Sequence, residues 1–261
     1  YQPDAENTAV QNLITLGVDG INLTAATAQS AQNSVQAAND EGIPIQITES
    51  GLAEGPGTPF ADIDFNWTEI YKKVARSLRE DVDGQLNIVN IQGFAGTPPV
   101  EQSIRGLKEA VANIDSMDLA TDIQYGDFKV DKSLDITKNL VQSGVEFNVI
   151  IGQSQEIADG AIRGLKEAGV SLDDVYIVSV NGGPLDVENF KEGELDFALS
   201  QSPGLHGMIC AANMFAYLND GTYSEALFSP TVWVTKDNWQ QHLIPWDVDD
   251  SWLPVVREFV E

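Results

Sequence analysis

Two glycine- and proline-rich stretches are the places where this chain could hold a ligand by its backbone: "NIVNIQGFAGTPPVEQSIRGLKEAV", residues 87–111, and "ESGLAEGPGTPF", residues 49–60. Neither has the pattern of a nucleotide site. In the first, Gly93 and Gly96 lack the lysine of a phosphate loop, and Pro98 and Pro99 occupy the turn. In the second, Pro56 and Pro59 interrupt the helix start that a dinucleotide fingerprint requires. What remains is a helix N-terminus with exposed amides, which suits an oxygen-rich ligand. Glu101 falls in the first turn of that helix, where an acid is also expected from the helix dipole alone.

Catalytic constellations are missing. There is no GxSxG turn, and a general base would have to be a lone carboxylate. His206 and His242 are the only histidines, and Cys210, the only cysteine, sits in the apolar run "HGMICAANMFAYL". That spacing holds no zinc, and one cysteine allows no disulfide within the chain. No metal, cofactor or enzymatic activity is expected.

The elements that must position any site alternate in type. "GVDGINLT" (17–24), "IPIQITES" (43–50), "LNIVNIQG" (86–93), "LATDIQYG" (119–126), "FNVIIGQ" (147–153), "VYIVSVNG" (175–182) and "LDFALSQ" (195–201) are short and mostly rich in Val and Ile, as strands are. Helical spacing lies between them, as in Val10, Leu13 and Ile14, in Ala28, Ala31, Val35 and Ala38, in Ile70, Val74 and Leu78, and in Ile157, Ala161, Leu165 and Ala168. Strand and helix in this rhythm predict an α/β fold with parallel sheets covered on both faces. The heptapeptide "IRGLKEA" occurs at 104–110 and again at 162–168. It reads as two helices with one packing solution: Ile and Leu face a sheet, Gly permits close approach, and Lys and Glu face water.

The chain has 261 residues, 43% of them hydrophobic, which is enough for two modest cores. Forty acidic residues against fourteen basic ones give a formal charge of -26. Nucleic acid and anionic membrane surfaces would be repelled, and an acidic, solvated surface suits a salty medium, halophilic or marine. No apolar run approaches the ~20 residues of a membrane span, and no export signal opens the chain at Tyr1.

At this point the residues resemble the type I periplasmic sugar-binding proteins of ABC transporters, the ribose- and galactose-binding group. The resemblance runs in order through "LGVDGINLTAATAQSAQNSVQAANDEGIPIQI", "VNIQGFAGTPPVEQSIRGLKEAV", "GQSQEIADGAIRGLKEAG", "IVSVNGGPLDVENFKEGELDFALSQSP" and "SPTVWVTKDN", and covers nearly the whole chain. It implies two lobes, each a parallel sheet flanked by helices, made of 1–66 with 202–230 and of 67–201 with 231–261. Three hinge crossings are expected near Asn66, Gln201 and Pro230. The family has a strand, a helix and a strand before the position matching Tyr1. By that comparison roughly forty to fifty residues would be absent, leaving the first lobe with an exposed strand edge.

The same resemblance suggests where ligand would bind. Family ligand positions fall on Glu49, followed by Ser50, and on Glu101, Ser154, Gln155, Asn181, Phe128 and Gln201, while Trp67 lies beside the first crossing. Two family arginines are replaced, at Ser50 and near Glu101. The polar set suits hydroxyl hydrogen bonds, with carboxylates as the stronger anchors, and Phe128 offers an apolar face. Other roles stay open: Asn181 and Gly182 as a turn dipeptide, and Phe128 and Trp67 as packing residues.

The expected function is capture of a sugar or related polyol by hinge closure and delivery to the permease of an ABC transporter. The alternative is a ligand-sensing domain of a receptor or transcriptional regulator, for a small signalling sugar or nucleoside. A monomer is expected, periplasmic or extracellular, with a lipid anchor on the absent N-terminal segment as one form.

Overall fold

The structure, a computed structural model, describes residues 2–49 and 51–243. Among these, α1 (Pro3–Leu16), β1 (Ile21–Thr24), α2 (Ala28–Asp40), β2 (Ile45–Thr48) and β3 (Ala61–Asp64) come first. Next are α3 (Trp67–Asp81), β4 (Leu86–Gln92), α4 (Pro98–Val111), β5 (Met117–Leu119), β6 (Gln124–Tyr125), α5 (Val130–Gln142), β7 (Val149–Gly152) and α6 (Gln155–Glu167). The last are β8 (Tyr176–Ser179), α7 (Pro184–Glu192), β9 (Phe197–Ser200), α8 (Pro203–Leu218), β10 (Ala226–Phe228), β11 (Val232–Thr235) and α9 (Trp239–His242).

The strands form two sheets. One has four strands in the order β1-β2-β3-β10, all parallel. The other has seven, in the order β11-β9-β8-β7-β4-β5 with β6 also on β4. Every pairing in it is parallel except β11 on β9. Among the described residues the chain passes between the sheets three times: between β3 and α3, between β9 and α8, and between β10 and β11. Among the described residues β1 is an edge strand, paired by β2 on one side only.

Strand alternation divides the buried side chains of the large sheet between two faces. Leu86, Ile88, Val149, Ile151, Val178 and Leu199 join Tyr71, Val74, Leu78 and Leu107 of α3 and α4. Val89, Ile91, Ile150, Ile177 and Ala198 join Ile157, Ile162 and Leu165 of α6. On the small sheet, Ile21, Leu23, Ile45 and Ile47 pack with Val10 of α1 and Val35 of α2. Ala61 and Ile63 pack with Leu205, Ile209 and Cys210 of α8. Both sheets are thus covered by helices on two faces.

The repeated heptapeptide behaves as its residue types predict. Ile104, Leu107, Ile162 and Leu165 are buried, while Lys108, Glu109, Lys166 and Glu167 are exposed. A Cβ on Gly106 would stand 2.2 Å from the Thr68 carbonyl oxygen of α3, and one on Gly164 would stand 2.8 Å from the Leu134 carbonyl oxygen of α5. Each glycine therefore lets a neighbouring helix backbone approach.

The expected strand at 119–126 is two short ones, β5 and β6, separated at 120–123. Both run beside β4, with the polar Thr121 and Asp122 between them. β3 is a strand that the periodicity did not mark, because Asp62 and Asp64 make half of it residues depleted from strands. Its alternation is nonetheless clear, with Ala61 and Ile63 buried.

A candidate ligand cleft between two sheets

The carboxyl ends of parallel strands are where ligands meet an α/β sheet, because the loops there diverge and the helix N-termini face them. Here the ends of β2, β3, β7 and β9 lead directly into Glu49, Phe65, Gln153 and Gln201, and β8 leads through Val180 into Asn181. These five residues line one cleft of about 340 Å³ together with Trp67, Pro99, Phe128 and Pro203. Glu49, Phe65 and Pro203 follow or begin elements of the small sheet and its helix α8. Phe128, Gln153, Asn181 and Pro99 belong to the large-sheet side, and Trp67 and Gln201 stand at chain passages between the two.

Two lining residues hold backbone conformations that side chains disfavour. Glu49 has φ 59° and Phe128 has φ 55°, the latter preceded by Asp127 at 53°. Left-handed backbone at non-glycine residues costs on the order of 1–3 kcal/mol and concentrates at functional sites. In the large-sheet wall the Phe128 ring lies over Gly93, where a Cβ would stand 2.0 Å from Cζ of that ring. Phe94 meets the same ring edge-on, with centroids 5.4 Å apart.

Glu49 is the charged group of the cleft. Burial, and then the nearby charge of Asp64, push its carboxyl up to about 7. Its Oε1 lies 3.6 Å from Nε2 of His206 on α8. That imidazole is no counter-ion near neutral pH, because burial pushes its pKa down to about 4. His206 is held in place instead: Nε2 is hydrogen-bonded to Thr48 Oγ1, Nδ1 lies 2.7 Å from Ser229 Oγ, and Phe65 stacks on the ring at 4.4 Å. Asp62 and Asp64 of β3 are also raised by burial, Asp62 to about 6.

The neutral polar groups form a second set. Asn181 Oδ1 accepts a hydrogen bond from Gln201 Nε2, and the Gln201 amide N–H donates to the Asn181 carbonyl. Gln201 Oε1 and Trp67 Nε1 are buried without a hydrogen-bond partner among the described residues. Gln153 Oε1 accepts from the Gly93 amide at 2.8 Å. Behind Asn181, the Asp186 carboxylate accepts from Ser179 Oγ at 2.7 Å and from the amides of Gly182 and Gly183 at 3.0 and 3.2 Å, fixing the turn. Burial pushes Asp186 up to about 7.

Of the residues singled out in the sequence, Glu49, Trp67, Phe128, Asn181 and Gln201 come together in the cleft, while Glu101, Ser154 and Gln155 are not among its lining. Glu101 is exposed on α4. The Ser154 hydroxyl caps α6 by accepting from the Ile157 amide at 3.4 Å. Gln155 Oε1 accepts from the Leu185 amide at 2.8 Å, a bond that ties α6 to α7. Ser50 lies outside the described residues, as does the part of the expected second lobe beyond 243. Phe65, Gln153, Pro99 and Pro203 join the set, as does His206 from behind Glu49. Gln153 ends the predicted strand 147–153, so its position past a strand end was a usable signal. Phe65 had none, since β3 went unmarked.

A family model described as a periplasmic binding protein domain matches residues 1–222. The chain belongs to that family. The ribose import binding protein of Haemophilus influenzae is 26% identical over 207 residues, 79% of this chain and 68% of that one. The chain therefore spans about two thirds of the length of that curated relative. Among solved structures, a galactofuranose-binding protein superposes with TM-score 0.84 at 20% identity, over 93% of this chain and 83% of that one. A periplasmic solute-binding protein from Actinobacillus succinogenes with bound D-allose gives 0.83 at 22%, over 90% and 85%. These superpositions establish the type I periplasmic binding fold. The family consists of binding proteins, and this chain is one of them, not an enzyme.

Proposed function

We propose that the protein captures a sugar or related polyol in this cleft and delivers it to the permease of an ABC transporter. The observation that carries the reading is the convergence, from the strand ends of both sheets, of hydroxyl-binding groups and aromatic faces on one cavity. Within it Gln201 Oε1 and Trp67 Nε1 are buried and, among the described residues, unpaired. An unpaired buried polar atom costs about 1–3 kcal/mol, and a polyol hydroxyl inside the cleft relieves that cost. The aromatic rings of Phe65, Trp67 and Phe128 suit the C–H faces of a sugar ring.

The lobes in this reading are 1–66 with 202–230 and 67–201 with 231–261, and the three passages near Asn66, Gln201 and Pro230 serve as hinges. Ligand favours the closed state because only there does it touch both walls. A periplasmic or extracellular monomer fits the reading, and its acidic charge fits a saline medium. The sugars named for relatives, ribose, galactofuranose and allose, support the class of ligand.

A thermal-shift panel of pentoses, hexoses and cyclitols tests this. A ligand at a hundred times its Kd adds about 2.7 kcal/mol of stability, which raises Tm by roughly 5–10 °C in a chain of this size. No shift with any polyol in the panel overturns the proposal.

A further inference from the structure

The charge of the cleft points beyond polyols in general. Among the described residues no lysine or arginine lines it, and its one charged lining residue is Glu49. The neighbouring charge of Asp64 is of the same sign. The group nearest in the role of counter-ion, His206, is buried and neutral near neutral pH. A carboxylate so placed lacks the positive partner that buried charges require, and a cationic ligand would supply it.

Two of the helix N-termini at the cleft, those of α4 and α8, offset this less than usual. Such termini attract anions through free amide N–H groups. Here α4 begins Pro98-Pro99 and α8 begins with Pro203, and proline has no N–H to offer, so the start of α4 presents fewer exposed amides than the sequence suggested. Pro99 and Pro203 are themselves lining residues. Among the described residues a carboxylated or phosphorylated sugar would find no lining cation, and no amide N–H at Pro98, Pro99 or Pro203.

Two further features point to a ligand with donors and positive charge. Gln201 and Trp67 are each only 5% exposed. Among the described residues Gln201 Oε1 is an unpaired buried acceptor and Trp67 Nε1 an unpaired buried donor, so Gln201 with Glu49 offers acceptors to N–H or O–H groups while Trp67 suits a hydroxyl oxygen. Three rings, Phe65, Trp67 and Phe128, share the cavity, and aromatic faces attract ammonium groups, more strongly as these are desolvated.

We propose that the cleft selects a polyol bearing a protonated amine over its neutral and carboxylated counterparts, with Glu49 as the anchoring anion and the aromatic rings as the enclosing wall. The inference rests on the reading of the cleft as a polyol site and narrows its ligand class.

The test is calorimetry with matched sets near neutral pH: D-glucosamine, D-glucose and D-glucuronate; D-galactosamine, D-galactose and D-galacturonate; an aminodeoxy-inositol beside myo-inositol. In the sets that bind, the amine is expected to bind about tenfold or more tightly than the neutral member, and the acid most weakly. A neutral or acidic member that equals or exceeds the amine overturns the inference while leaving the polyol site standing. Binding by none of them overturns both. Glu49→Gln keeps the size of the side chain and removes its charge, so the amine and neutral members should fall to within about twofold of each other. A preference that survives in E49Q refutes the assignment to Glu49, and the wild-type comparison decides the rest even if that variant fails to fold.

Discussion

The wall of the cleft supplied by the four-stranded sheet carries Glu49, with Asp64 and His206 close by, whereas the wall supplied by the seven-stranded sheet presents Phe128, Gln153 and Asn181, none of which carries charge. Both walls contain a titratable group raised to about 7, but in different places. Glu49 faces the cavity, and Asp186 is buried behind Asn181, where it accepts three hydrogen bonds. One wall holds a carboxyl on the cavity; the other uses a buried carboxyl to hold a neutral surface in shape. The difference teaches that a raised carboxylate is not by itself a binding group, since geometry decides which role it has.

The largest expected effect comes from breaking the neutral wall from behind. Asp186→Ala leaves the donors of Ser179, Gly182 and Gly183 without their acceptor. This should cost about 3 kcal/mol and lower Tm by roughly 6–12 °C, measured by calorimetry, with weaker ligand binding as the 181–183 turn loosens. An unchanged Tm would show that the turn holds itself.

Phe128→Ala tests the face of the same wall. Losing the ring should weaken binding of a polyol ligand by about 2 kcal/mol, roughly thirtyfold, as read by titration calorimetry. Loss of stability without loss of affinity would make Phe128 a packing residue, the alternative that the sequence left open.

Acid should separate the walls. Glu49 and Asp186 have folded pKa values above their ordinary carboxylate values of 4.5 and 3.8, so the folded protein holds protons that the unfolded chain releases. Stability from these groups falls as pH rises through about 7 and is regained on acidification. His206 runs the other way, with a folded value of about 4 against 6.5, so its contribution is lost as pH falls below 6.5. Between about pH 8 and 6.5 the carboxylates act almost alone, and Tm should rise by roughly 3–6 °C on lowering pH across that window. Glu49→Gln and Asp186→Asn should each remove part of the rise. A bound cationic ligand should remove the Glu49 part only.

The smallest effect sharpens the boundary of the site. Ser154→Ala removes the cap of α6 and should cost about 1 kcal/mol of stability, with ligand affinity changed by less than about twofold. A tenfold loss of affinity in S154A would return Ser154 to the cleft.

Much of the architecture was legible because burial imposes periodicity. Val74, Leu78, Ile157 and Leu165 recur at helical spacing, and the two copies of "IRGLKEA" place their glycines where neighbouring helix backbones cross. The strand at 61–64 escaped because two aspartates interrupt its apolar pattern, and with it went Phe65, which lines the cleft and stacks on His206. Ser154 and Gln155 had the right residue types for a ligand contact, but hydrogen bonds to Ile157 and Leu185 engage them elsewhere. Residue type announces what a side chain can bond to; packing decides which partner it meets.

The sequence by itself determined the alternation of strand and helix, the coverage of both sheet faces, and the excess of forty acidic over fourteen basic residues. Those properties depend on local periodicity and composition, which every part of the chain carries within itself. Only the tertiary structure decided that Glu49, Phe128 and Gln201 share one cavity, that His206 stands beside Glu49 as a neutral ring, and that Asp186 supports Asn181 from behind. Most of these relations join residues far apart in the chain, Glu49 and His206 above all, and their charge states follow from burial and neighbours that exist only once the sheets are folded.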